Sequence, residues 1–248
     1  MASMPLVSVP DRQRHKVFQL PVDLCADYPT WLGDRMSQGQ GAHVITINAE
    51  MAMQAEQDPE LGRAIREADL VIPDGAGVVW YLRLRGRKVR RSPGIELAAD
   101  LICQAAGLGW QVFFFGGAPG VAAAAAQVWQ QQYPTLKVAG VQHGFLSDDE
   151  RSQLLRDLET KQPQLIPVGL GVPRQEFWIR EHRHLSPQSI WMGIGGSFDV
   201  WSGQKQRAPR LLQQLNLEWT WRLIQEPWRW RRMLALPRFA WRAVTDWS

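Results

Sequence analysis

An α/β fold built on a parallel sheet is what this chain predicts, and three observations carry the prediction. Short apolar runs rich in β-branched or aromatic residues recur as far as residue 194, segments of helical length separate them, and polar or glycine-rich residues follow most of them. Strands that are apolar throughout belong to parallel sheets covered by helices on both faces. Right-handed crossovers bring the C-terminal ends of such strands to one edge, where ligands bind.

The elements follow in order. Residues 1–16 read as a loose leader, with a first strand over 17–22 and a helix over 27–38. His43-Val-Ile-Thr-Ile-Asn48 is a buried-type strand, followed by a helix reaching Ala68. Leu70-Val-Ile-Pro-Asp74 is a short strand, with helices at 78–85 and 94–106. Gln111-Val-Phe-Phe-Phe115 is the next strand, and Gly116-Gly-Ala-Pro-Gly120 opens an alanine-rich helix at 121–132. Strands at 137–141, 165–170 and 190–194 alternate with helices at 148–160 and 174–182. The sum is a Rossmann-like, mostly parallel sheet flanked by helices. It occupies 17–203, and a helical appendage, 204–248, follows with helices expected at 209–225 and 228–236 around the break at Pro227.

Charge is distributed unevenly. The chain carries a formal +4, yet residues from Gln204 onward hold nine Lys/Arg, three Asp/Glu and six of the thirteen tryptophans, which leaves the body slightly acidic. Amphipathic rings beside fixed positive charges suit a helix lying among lipid headgroups. An ordinary packed helix with a solvated rim and a single-stranded nucleic-acid surface are the competing readings. The apolar stretch 110–126 is interrupted by Gly116, Gly117, Pro119 and Gly120, so it reads as strand, turn and helix rather than a membrane span, and any membrane contact is expected to be peripheral. Cys25 and Cys103 form no disulfide or zinc pattern, and the N-terminus lacks the apolar core of a signal peptide; both point to the cytoplasm.

Candidate site residues gather at strand ends, where buried polar groups are costly unless they serve a ligand or a hydrogen-bond network. Thr46 and Asn48 end one strand and Asp74 the next. Asp74, followed by Gly75 and Gly77, can accept a proton from an approaching hydroxyl or can cap the helix after it. The turn through Gly116 and Gly117 aims backbone N–H groups at an anion or is a plain tight turn. Arg91, Gly94 and Glu96 add a cation, close approach and a second carboxylate, against the alternative of a solvated charge run. Gln175 can bind a nucleotide or sugar edge, with Glu176 as a possible cap, while Gly195, Gly196 and Asp199 offer close approach and either a ligand contact or a cap. No Asp-x-Asp pair occurs, so no metal site is expected, and positive side chains are needed to neutralise a leaving group. Arg222, Arg229 and Arg232 supply them from what the spacing suggests is one helix face.

Taken together, Thr46-x-Asn48, Asp74-Gly-Ala-Gly-Val-Val, Arg91-x-x-Gly94, Phe115-Gly-Gly-x-Pro-Gly-Val-Ala, Gly169-x-Gly-x-Pro-Arg-Gln-Glu-x-Trp178, Gly195-Gly-Ser-Phe-Asp199, Arg207-Ala-Pro209 and Leu217-Glu-Trp219-x-x-Arg-Leu-x-x-Glu-Pro227 resemble the WecG/TagA/CpsF glycosyltransferase family. The resemblance runs in order from about 17 to 235. It implies an inverting, metal-independent transfer of N-acetylmannosamine or a relative from a UDP-sugar to a polyprenyl-diphosphate-linked sugar at the cytoplasmic membrane face, without a cofactor. It further implies Asp74 as general base, Thr46, Asn48, Arg91 and Gln175 around the sugar and nucleotide, C-terminal arginines completing the site at the lipid, and self-association of copies as an option. Gly94-Ile-Glu96 departs from the family's usual Gly-Ser/Thr-Asp, which raises glucose or a uronic acid as donor sugars. A non-catalytic nucleotide-sugar-binding module tethered to the membrane is the rival reading, and a nucleic-acid partner is not expected.

Overall fold

The computed structural model describes residues 12–246. Its first element is a hairpin, β1 (Arg12–Val17) and β2 (Leu20–Cys25), rather than a leader followed by one strand at 17–22. The chain reverses through Phe18, whose φ of 54 is the left-handed conformation a tight turn demands. The part of the predicted leader at 1–11 lies outside the described residues. Asp23 fastens the hairpin to the body: it is fully buried, holds the Arg14 guanidinium at 2.8 and 2.9 Å, and accepts the Val71 backbone N–H at 2.8 Å. A backbone donor on a sheet-edge strand is thereby satisfied.

Helix α1 (Tyr28–Ser37) precedes β3 (Ala42–Ile47). Two helices follow where one was expected, α2 (Ala49–Gln57) and α3 (Pro59–Glu67). Pro59 disfavours helical backbone at Asp58, which takes β geometry and caps α3 through its side chain. Next come β4 (Leu70–Pro73), α4 (Ala76–Leu84), α5 (Gly94–Leu108), β5 (Gln111–Gly116) and α6 (Val121–Gln132). The body continues with β6 (Lys137–Gln142), α7 (Asp148–Lys161), β7 (Leu165–Gly169), α8 (Arg174–His182), β8 (Ile190–Gly193) and α9 (Ser197–Trp201).

Six strands form one parallel sheet in the order β4-β3-β8-β7-β5-β6. Although the strands are apolar throughout, their side chains still alternate between faces. Val44, Leu70, Ile72, Phe114 and Met192 pack with α1, α5, α6 and α9, while Ile45, Ile47 and Val71 pack with α2, α3 and α4 on the other side. Phe113, Phe115 and Trp191 extend that second layer with α7 and α8. The strand period of two places each apolar residue under one helical layer or the other.

This topology locates a crevice. After β3 the chain leaves into α2 on one face, and after the neighbouring β8 it leaves into α9 on the opposite face. Diverging connections open a cleft above the strand ends, as in other doubly wound sheets.

The C-terminal segment is more broken than its periodicity predicts. The expected helix at 209–225 is two, α10 (Arg210–Gln214) and α11 (Glu218–Gln225), because Asn216 takes a left-handed φ of 59. The expected helix at 228–236 is a 3-10 turn, Pro227–Arg229, a one-turn helix α12 (Trp230–Met233), and then α13 (Ala235–Thr245), which runs through Pro237. Proline is tolerated there because it sits in the first turn, where its missing N–H costs nothing. Helix α13 folds back onto the body: Phe239 is 1% exposed and packs against Phe18 and Tyr81, with centroids at 5.0 and 6.2 Å. Among the described residues, no helix is long and apolar enough to cross a membrane.

Candidate active site

The crevice is a cavity of about 250 Å³ whose floor comes from the strand ends and whose roof comes from the C-terminal segment. Thr46, Asn48, Asp74, Arg91, Gly94, Gln175, Gly195 and Gly196 line the floor and walls, and Arg222, Arg229 and Arg232 line the roof. The three arginines do not share one helix face. They sit on α11, the 3-10 turn and α12, and the Pro227 break folds them around the same cavity.

Asn48 and Gln175 are fixed by backbone hydrogen bonds. Asn48 caps α2, its side-chain oxygen accepting the Met51 N–H at 2.9 Å. Gly75 permits the turn after β4 to lie against it, since a Cβ there would stand 2.7 Å from the Asn48 Cβ. The Asp74 side chain does not cap α4, whose N-cap is Gly75 and which has no side-chain cap bond; the carboxyl instead accepts the Gly94 N–H at the start of α5. The Asp74 side chain, 24% exposed, faces the cavity. Arg91 clasps it twice, with Nε donating to the Asp74 carbonyl and Nη2 lying 3.4 Å from the carboxylate. Loss of hydration pushes the Asp74 pKa up, against the opposing pull of Arg91, Arg222 and the Gly94 N–H.

Gln175, at the cavity wall, also has an internal task. It is 3% exposed, and its side-chain oxygen accepts the backbone N–H groups of Gly171 at 3.2 Å and Gly195 at 3.0 Å. It therefore ties the loop after β7 to the loop after β8. Its amide donates to Glu176 at 2.8 Å, and Glu176, 1% exposed, is not a cap either. The other oxygen of Glu176 has no hydrogen-bond partner, and burial pushes its pKa up to about 7.

Four predicted site residues lie outside the lining. Glu96 is not part of the lining, but it pairs with Arg207, which is. Gly116 serves strand packing, since a Cβ there would meet the Gly169 backbone at 2.5 Å, and Gly117 donates to the Gly169 carbonyl at 2.8 Å. Asp199 stands behind the cavity, 3.4 Å from Lys205, which does line it.

The structure also adds residues that sequence reasoning did not assign. Glu218 of α11 reaches the floor and meets Arg91, while its other oxygen lies 3.4 Å from Arg207. These contacts hold its pKa below the usual carboxylate value in spite of burial. Glu50 meets Arg232 at 2.8 Å, and Glu226 meets Lys205 at 3.0 Å and Arg229 at 3.2 Å. In the sequence Glu218 stood within the Leu217-Glu-Trp219 string of the family resemblance and four residues before Arg222, but neither position gave it a role.

A carboxylate with a raised pKa opposite several guanidinium groups is an arrangement for removing a proton on one side and holding an anion on the other. The sequence profile of the Glycosyl transferase WecG/TagA/CpsF family matches residues 15–248. The chain belongs to this family. Among its WecG/TagA/CpsF relatives, the N-acetylglucosaminyldiphosphoundecaprenol N-acetyl-beta-D-mannosaminyltransferase of Bacillus spizizenii is 37% identical over 205 residues, covering 82% of this chain and 79% of that protein. The Bacillus subtilis protein of the same name is 35% identical over 206 residues, covering 83% and 80%. The chain is thus a glycosyltransferase of the WecG/TagA/CpsF family, with Asp74, Arg91 and the tail arginines disposed around a single cavity.

Proposed function

We propose that this glycosyltransferase moves N-acetylmannosamine, with inversion, from its UDP conjugate to N-acetylglucosamine carried on a polyprenyl diphosphate. The observation that carries the reading is the Asp74 carboxyl, open to the cavity and facing Arg222. Asp74 removes the proton of an acceptor hydroxyl. The hydroxyl oxygen attacks the anomeric carbon, and the bond to the UDP oxygen breaks with its electron pair leaving on UDP. Arg222, Arg229 and Arg232 offset the charge of that departing group, which is where preorganised cations contribute most.

The tail brings the lipid. Trp228 and Trp241 are 70 and 72% exposed, and Trp219, Ile224, Trp230 and Leu234 are exposed beside them. Large apolar groups among arginines suit the headgroup region of the cytoplasmic leaflet, so peripheral binding at the inner membrane face is proposed.

The test is a panel of UDP-sugars assayed for UDP release against a short-chain lipid-diphosphate N-acetylglucosamine acceptor. Release is expected with UDP-N-acetylmannosamine. Release from another UDP-sugar but not from UDP-N-acetylmannosamine would overturn the proposed donor.

A further inference from the structure

Nothing in the proposed chemistry requires an acidic residue in the roof, yet Glu218 is there. Its carboxylate is 13% exposed, and the Arg91 nitrogen that it touches is the one that lies 3.4 Å from Asp74. One guanidinium nitrogen is thus shared by two carboxylates, hydrogen-bonded to the one from the tail and at the outer limit of hydrogen bonding to Asp74. The second oxygen of Glu218 leans on Arg207, which in turn holds Glu96. Arg207 and Arg91 therefore brace Glu218 from two sides.

Charge-assisted hydrogen bonds between guanidinium and carboxylate close to about 2.7–2.9 Å when nothing competes. Arg91 is already anchored through Nε to the Asp74 carbonyl, so Nη2 needs only a small rotation to close on the Asp74 carboxylate. That contact would occupy the oxygen that must receive a proton. We propose that Glu218 is a positioning residue that draws Arg91 off the Asp74 carboxylate when α11 closes, so that Asp74 is free to take a proton only beneath a docked tail. The proposal rests on the reading of Asp74 as base. It adds a coupling: an unroofed site has its carboxylate tied up by Arg91, and closure releases it.

Burial raises the Asp74 pKa, and its polar and charged neighbours act on it in both directions. Arg91 and the Gly94 N–H, from the segment entering α5, and Arg222, from α11, favour its ionised form, whereas Glu218 is the acid that opposes them. Neutralising Glu218 therefore leaves Asp74 facing only cations, and its proton comes off at lower pH.

The experiment is the pH profile of kcat/KM for UDP release from UDP-N-acetylmannosamine with the short-chain lipid-diphosphate acceptor, using the full chain. Glu218→Gln is expected to move the acidic limb down by about one pH unit and to lower the plateau roughly tenfold. Glu218→Asp, which keeps the charge, is expected to hold the limb at the wild-type position. Protection of the tail from limited proteolysis reports whether α11 still docks in each variant. If the Glu218→Gln limb stays in place or moves up while the plateau falls, Glu218 is a fastener of the tail and the proposal is overturned. Asp74→Asn separates this failure from that of the underlying reading: if it retains turnover, the base assignment falls and the role of Glu218 with it.

Discussion

The floor and the roof of the cavity solve the same problem by different physics. On the floor, Asn48 and Gln175 are held by backbone hydrogen bonds at the ends of buried strands, so their geometry is fixed by the sheet. In the roof, Arg232 and Lys205 are held by carboxylates across partly exposed ion pairs. Such pairs are individually weak and are screened by salt. The floor is thus set by the sheet, the outer edge of the roof rests on partly exposed ion pairs, and α13 is rooted in the core through Phe239.

The sharpest way to break that division is at the floor. Asp74→Asn is expected to lower turnover by about 10²–10⁴-fold, measured as UDP release, while donor binding is retained. The same change is expected to leave the fold as stable or more stable. A carboxyl whose pKa is raised on folding binds its proton more tightly in the folded state, so its ionisation at neutral pH works against the fold.

Phe239→Ala tests the root of the roof. A cost of about 3–5 kcal/mol in denaturant unfolding is expected for removing this buried ring. A much smaller loss would mean that the tail is held by its ion pairs after all.

Glu176 gives the floor its own pH signature. With a folded pKa of about 7 against an ordinary value of 4.5, the folded state holds more protons than the unfolded state between those values. Its contribution therefore makes stability fall as pH rises through that window, by at most about 3 kcal/mol. Thermal unfolding of Glu176→Gln against wild type from pH 4 to 8 is expected to show that slope removed.

The smallest effect belongs to the roof. Arg242→Ala, which breaks a 2.9 Å pair with Glu56 on a side chain 46% exposed, is expected to cost about 0.2–1 kcal/mol in denaturant unfolding at low salt and less at high salt.

Where the sequence could be read and where it could not follows the same line. Helices at 121–132 and 174–182 were legible to the residue because Gly120 and Pro173 mark their starts and no competing break lies inside them. The tail misled because Asn216 takes a left-handed turn inside a segment that otherwise reads as one helix, and such a turn carries little local signal. Thr46, Asn48 and Asp74 stood out as polar groups ending apolar strands. Glu218 did not, because its partner Arg91 lies 127 residues away. Gly116 and Gly117 looked like a phosphate cradle, since a glycine turn before a helix reads the same whether it faces an anion or a neighbouring strand.

By itself the sequence determined the alternation of strands and helices, the set of polar strand ends and the basic, tryptophan-rich tail, all of which are local patterns with a period or a sign. Only the tertiary structure decided that three arginines on broken pieces line the same cavity as Asp74, that Gln175 ties two loops together at its wall, and that a tail carboxylate shares Arg91. Those outcomes depend on crossover order and on charges brought together from distant parts of the chain, and no spacing within one segment encodes them.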